Sequence, residues 1–193
     1  MTTDTRSRIL VTMARLIEKQ GYHATGLNEI VRESGAPKGS LYYYFPGGKE
    51  QIGAEAILEA GKIISGRLSN ILAQESSPAQ AIYKFLMQMA ESVESTQFGA
   101  GSPLTTATIE TAVTCEAINQ ACQEAFGMIL SVFKEKFLAA DCTEIEAAEL
   151  ALYVTTVVEG GILMSRTYRL AEPLRLAARH LKAYLEITVC QSP

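Results

Sequence analysis

Tryptophan is absent from the chain, and histidine occurs only at His23 and His180. Neither histidine sits near a nucleophile or a metal-ligand spacing, so acid–base, nucleophilic and metal catalysis have no recognisable constellation. The four cysteines, Cys115, Cys122, Cys142 and Cys190, form no CxxC or Cys/His pattern, which excludes the common zinc and dithiol motifs. They read as reduced, buried thiols. Cys115 and Cys122 are seven apart, however, and can share a helix face as a redox-sensing pair. No charge-free apolar run approaches the roughly 20 residues of a membrane span. The opening MTTDTRSR lacks the apolar core of a signal peptide, so a cytoplasmic protein with no membrane partner is expected. Alternating strand patterns, internal repeats and low-complexity segments are missing too. A phosphate-binding Walker loop also fails: Gly48-Lys49 is followed by Glu50, and Tyr43 stands where the first glycine belongs.

What remains is helical. The 193 residues are 48% apolar, enough for one or two domains with a sizeable core. Segments with helical spacing run from about Thr5 to Gln20, Gly26 to Ser34, Lys38 to Phe45, Lys49 to Gln74, Ser77 to Ser95, Pro103 to Thr108 and Thr114 to Ala140. Two more run from a Thr143 cap to Tyr168 and from Pro173 to about Cys190. Asp4 or Thr5 can cap the first segment and Thr25 the second, while Gly21 and Gly35 end them. The segment after Thr143 has only Glu149 as a charge between Ala147 and Val158, so it calls for burial on most sides. Gly160 and Gly161 lie inside it, at about 1 kcal/mol each relative to alanine. Close approach of a helix from a second copy would offset that; a local kink is the alternative.

Net charge is −4, but it is unevenly spread. Residues 1–50 carry seven basic against five acidic side chains, the remainder ten against sixteen. A basic end points weakly to a polyanionic partner. The stretch GAPKGSLYYYFPGGKE within that end is sharper. Two short helices joined across Gly35-Ala36-Pro37, after a longer first helix, describe a helix-turn-helix. On a wheel at 100° per residue, Leu41 and Phe45 share one face and are the core anchors. Tyr43 then points directly away, with Tyr42 and Tyr44 about 80° to either side. Lys38, Gly39 and Ser40 also turn outward. Such a surface fits a DNA groove: lysine reaches guanine or phosphate, hydroxyls bond phosphate oxygens, and glycine lets the backbone approach. Thr25 and the start of the second helix add a phosphate-binding helix end, and Lys49 can hold the DNA backbone on the far side. The alternative places one or two of the phenols half-buried against the protein.

Residues Ile9 to Ile57 resemble the DNA-binding domain of TetR-family transcriptional repressors, through Thr25, Ile30, Gly35, Lys38, Gly39, Ser40, Leu41, Tyr42, Tyr44, Phe45 and Lys49. The phrase YHATGLNEIVRESGAPKGSLYYYFPGGKE is most similar to the LmrA/YxaF subgroup of Gram-positive bacteria, including its three residues, Pro46, Gly47 and Gly48, between Phe45 and Lys49. The resemblance implies an all-α chain of about nine helices: a helix-turn-helix domain over 1–48 and a helical effector-binding and dimerisation domain over 49–193. It further implies a homodimer on a pseudo-palindromic double-stranded operator, released by a small-molecule effector. It implies no enzyme activity and no cofactor.

Candidate effector-binding residues are Phe85, Met89, Phe98, Phe126, Met128, Phe133, Tyr153 and Met164, each also explicable as plain core. Few charges fall among them, which favours a neutral, apolar or aromatic effector. The expected dimer interface draws on Val154, Val158, Gly160, Gly161, Leu174, Leu181 and Leu185. Arg166, Arg169, Arg175, Arg179 and Lys182 form a basic stripe, either a solvated face or a second anion site. His23 contacts a phosphate or covers the first helix. A small helical enzyme or carrier is the rival reading, with the N-terminal motif as scaffold only.

Overall fold

A computed structural model describes residues 4–99 and 101–189; Cys190 lies outside them. Among the described residues there are nine α-helices and no strand: α1 (Thr5–Gln20), α2 (Leu27–Ser34), α3 (Lys38–Tyr44), α4 (Gly48–Leu72), α5 (Pro78–Ser95), α6 (Pro103–Thr111), α7 (Glu116–Leu138), α8 (Glu144–Tyr168) and α9 (Glu172–Val189). Helix ends follow their local chemistry. Gly35 takes φ 62° in the left-handed region and stops α2, and Pro37 caps α3. Ser77 accepts from the Gln80 amide ahead of Pro78. Thr143 and Glu146 close a reciprocal capping box at the start of α8. Several boundaries shift by a few residues: the cap of α2 is Gly26, not Thr25, α4 ends at Leu72, α6 extends to Thr111 and α7 spans Glu116–Leu138.

The chain divides into two compact units. One holds Met1–Ile63 and Ser102–Phe126, the other Ile64–Gly101 and Gly127–Pro193. In the first, α1 packs against α2, α3 and α6. Its buried stripe of Ile9, Leu10, Met13, Leu16 and Ile17 is the one the helical spacing predicts. Leu41 and Phe45 are fully buried there. The Arg6 guanidinium lies 5.6 Å from the centre of the Phe45 ring and pairs with Glu55.

A polar clasp ties the end of α6 to the loop before α2. The Glu110 carboxylate accepts from the His23 backbone amide at 3.0 Å, and the His23 ring Nε2 lies 3.3 Å from the Glu110 carbonyl oxygen. Lys49 Nζ donates to the His23 carbonyl at 3.2 Å and sits 4.4 Å from the centre of the Tyr22 ring. Burial lowers the pKa of Lys49, while the Glu110 charge pulls it back up. Burial also raises Tyr22 to about 12. Gly21 makes the clasp possible. It holds φ 89°, and a Cβ there would fall 1.8 Å from a Glu110 carboxylate oxygen.

In the second unit α9 packs against α5 and α8. Ile82, Leu86, Val154, Val158, Leu174, Leu181 and Leu185 fill the space between them. A Cβ on Gly161 would fall 2.9 Å from Leu174, so this glycine serves contact between α8 and α9 of the same chain rather than a second copy. Gly160, by contrast, faces open space. Within one protomer α8 is covered on one side only: Leu152, Tyr153, Leu163, Met164 and Tyr168 are exposed. Cys115, Cys122 and Cys142 are free thiols.

Truncating Leu41 to alanine is expected to lower the unfolding free energy by about 2–5 kcal/mol in denaturant titration, as for other fully buried leucines. An Ala at Gly21 should cost about 1–3 kcal/mol, because it forces a backbone region that side chains avoid and displaces Glu110. An unchanged denaturation midpoint for Gly21→Ala would show that the clasp does not form.

Candidate nucleic-acid interface

A helix of seven residues cannot hold itself together in water, so α3 takes its orientation from Leu41 and Phe45. With these two anchored, Tyr43 is 80% exposed and Tyr42 57% exposed. Tyr44 is half-buried, its ring edge-on to Tyr43 at 5.0 Å and tilted against Phe45 at 6.4 Å. The tyrosine arrangement thus has two phenols out and one on the flank. Lys38 and Gly39 are exposed and Ser40 is half-exposed. A Cβ on Gly39 would meet nothing within 4 Å, so the backbone there is open to a close neighbour.

Charge around α3 is set by pairing on α1 and α2. Arg15 bonds Glu33 at 2.9 Å, and Arg32 reaches Glu33 at 3.3 Å and Glu29 at 3.5 Å. Hydrogen bonds from Arg15 and then Arg32 hold the Glu33 carboxyl below its ordinary range. Lys38 has no carboxylate partner among the described residues and projects its charge outward. The positive charge of Arg15 and Arg32 is therefore offset within α1 and α2, and the unpaired, exposed Lys38 stands at the start of α3.

Two of the residues expected at this surface are placed elsewhere. Thr25 is fully buried; its hydroxyl donates to the Gly21 carbonyl at 2.7 Å and its amide to the Tyr22 carbonyl at 3.1 Å. Its polar groups hold the loop and have nothing left for a phosphate. The helix end that can receive one is that of α2, where Gly26 caps without a side chain and its own surroundings are open. The Lys49 ammonium is turned to the His23 carbonyl and the Tyr22 ring, so in this conformation it braces the loop. Sequence reasoning missed Glu110. It lies 87 residues from His23, and no local pattern marks it.

The expected effector and interface residues also separate. Phe85 and Phe133 meet edge to face at 6.0 Å in unit two, with Met89 one turn along α5 and half-buried Met128 on α7. Phe126 falls in unit one. Tyr153, 48% exposed, meets Tyr184 edge to face at 5.5 Å, and Met164 is 42% exposed; both are at the surface of α8, apart from the Phe85–Phe133 pair. Val154, Val158, Gly161, Leu174, Leu181 and Leu185 are buried within their own protomer. Of the expected interface set, Gly160 alone is exposed. With Val157, Met164, Tyr168, Leu176 and His180 it lines a shallow apolar groove of about 610 Å³ on α8 and α9. By length and composition α8 is also long and apolar enough to cross a membrane, but it has one face in the core of unit two.

Known proteins place this architecture. Residues 9–56 match the family model for bacterial regulatory proteins of the tetR family, and residues 78–180 that for the LmrA/YxaF-like transcriptional regulator C-terminal domain. The HTH-type transcriptional regulator LmrA of Bacillus subtilis is 40% identical over 171 residues, which is 89% of this chain and 91% of that one. The uncharacterized HTH-type transcriptional regulator YxaF of the same species is 39% identical over 178 residues, covering 92% and 93%. Among solved structures, the reduced form of E. coli NemR superposes with a TM-score of 0.80 at 21% identity, over 93% of this chain and 96% of that one. With its buried Leu41 and Phe45, its outward phenols and these relatives, the chain belongs to the TetR family of helix-turn-helix transcriptional regulators, with an LmrA/YxaF-like C-terminal domain.

Proposed function

We propose that the protein is a ligand-responsive repressor that binds a pseudo-palindromic operator as a homodimer. The observation that carries this reading is the exposure of Tyr42 and Tyr43 on a helix whose opposite face is fully buried. Phenol rings on such a surface cost solvation and contribute nothing to the core, so they serve a partner. Lys38, Gly39, Ser40 and the three tyrosines are the reading surface. Gly26 and the first amides of α2 receive a phosphate. Thr25 and Lys49 position the loop between α1 and α2 from behind.

The dimer forms through the outer faces of α8 and α9. Met164, Tyr168, Leu170 and Leu176 are exposed there, and burying them against a second copy removes an apolar surface from water. Gly160, with open space beside it, lets the partner's helix come close. Paired reading helices then address successive major grooves about 34 Å apart.

Release follows when a small apolar or aromatic effector binds the DNA-incompetent conformation better than the competent one; without that difference nothing shifts. Phe85, Met89, Met128 and Phe133 are the apolar groups of unit two that such a ligand would meet. Helix α4 runs without a break from Gly48 to Leu72, and so gives the second unit a covalent path to the loop that Lys49 braces.

Mobility-shift titration of the DNA flanking the protein's own gene tests the reading. Lys38→Ala and Tyr43→Ala should each weaken binding about tenfold while leaving the denaturation midpoint in place. Affinity should fall steeply with salt as phosphate contacts release counterions. Unchanged affinity in both variants, or no shift on any flanking duplex at low salt, overturns the operator reading. Leu176→Glu is expected to convert a dimer into a monomer in sedimentation equilibrium, because a carboxylate cannot be buried in an apolar seam. A dimer that survives this change lies elsewhere.

A further inference from the structure

The basic stripe on α8 and α9 is not uniform. Arg175 pairs with Glu94 at 2.7 Å, Arg179 with Glu172 at 2.7 Å, and Lys182 reaches Glu186 at 3.7 Å. Arg166 and Arg169 have no carboxylate partner among the described residues. Both line one cavity of about 690 Å³, together with Gln97, Phe98 and Gly99. Two cationic side chains without a carboxylate partner at one concavity favour an anion there.

The backbone around this cavity is strained on both sides. Of the four non-glycine residues with positive φ among those described, three are Gln97 (52°), Phe98 (61°) and Arg169 (53°), all at its wall. Left-handed backbone is unfavourable for a residue that bears a side chain, and glycine would remove the cost. Arg169 occupies the position after α8 where glycine is the usual residue. The turn is nonetheless held: the Leu170 amide bonds the Ser165 carbonyl at 3.1 Å, and the Phe98 amide bonds the Val93 carbonyl at 2.7 Å. Glycine is used instead at Gly101, where a Cβ would fall 2.3 Å from Arg166 Nη1. The segment thus retains its strained side chains at the cavity and gives up a side chain where one would displace a guanidinium. Such clustered strain is a mark of ligand sites.

We propose that this cavity binds a small organic oxyanion, with its acid group on Arg166 and Arg169 and an apolar portion against Phe98. Guanidinium forks suit carboxylate and phosphate oxygens alike. The site shares no residue with the α3 surface or with the Phe85–Phe133 pair, and it does not depend on operator binding.

The test titrates the full-length protein, without DNA and at constant ionic strength, with benzoate, inorganic phosphate and the neutral isostere benzamide. Backbone amide and arginine Nε resonances are followed by NMR. Saturable shifts at residues 97–99 and 166–169 are expected for at least one anion and not for benzamide. Response to both anions, or to one alone, supports the site and says whether a carboxylate or a phosphate supplies the acid group. Arg166→Gln and Arg169→Gln should each weaken binding by about tenfold or more, as loss of a charge-assisted hydrogen bond does. Arg67→Gln, on the exposed face of α4, should leave it unchanged, with circular dichroism confirming that all three variants fold. The proposal is overturned by equal binding of benzamide, by full binding in the Arg166→Gln/Arg169→Gln double variant, or by no response to either anion. It is overturned as well if an unrelated DNA duplex displaces the bound anion, which would assign the arginines to nucleic acid.

Discussion

Everything at the reading surface depends on how two apolar side chains pin a helix too short to stand alone. An isolated seven-residue helix does not persist in water. Leu41 and Phe45 supply the burial that α3 lacks in length, and the Arg6 guanidinium closes over the Phe45 ring. Because the two anchors are four residues apart, fixing them also fixes the rotation of the helix. The outward direction of Tyr43 and Lys38 follows from that rotation and needs no further interaction. A second constraint acts from behind. The clasp of Glu110, His23 and Lys49 holds the loop between α1 and α2, so the whole helix-turn-helix is braced by α6.

Much of this was legible in the sequence because it is local. The wheel of α3, the left-handed stop at Gly35, the proline start and the capping box at Thr143 are each decided within a few residues. The parts that were not legible are those decided at long range. Thr25 looks like a helix cap, but its hydroxyl is taken by the Gly21 carbonyl and Gly26 caps instead. Lys49 looks like a phosphate contact, yet its tip meets His23 and Tyr22. Glu110 has no local signature at all.

Helix α8 shows a different limit. Its composition calls for burial on most sides, and hydropathy does not say which stripe faces the protomer's own core. Val154, Val158, Leu174 and Leu181 go inside, which leaves Gly160, Met164 and Leu176 to face outward. Two adjacent glycines divide in the same way: Gly161 accommodates Leu174 and Gly160 faces open space. Charge behaves similarly. Arg6, Arg15, Arg32, Arg175, Arg179 and Lys182 are paired with nearby acids, whereas Lys38, Arg166 and Arg169 are not, among the described residues, and stand at the surfaces proposed to meet anions.

The central claim is that the outward phenols of α3 meet DNA, and tyrosine iodination read by mass spectrometry tests it most directly. In the free protein Tyr42 and Tyr43 should be modified readily. On saturation with operator duplex both should be protected, while Tyr83, outside the reading surface, keeps its free-state reactivity. Equal modification of Tyr42 and Tyr43 with and without bound DNA would contradict the account.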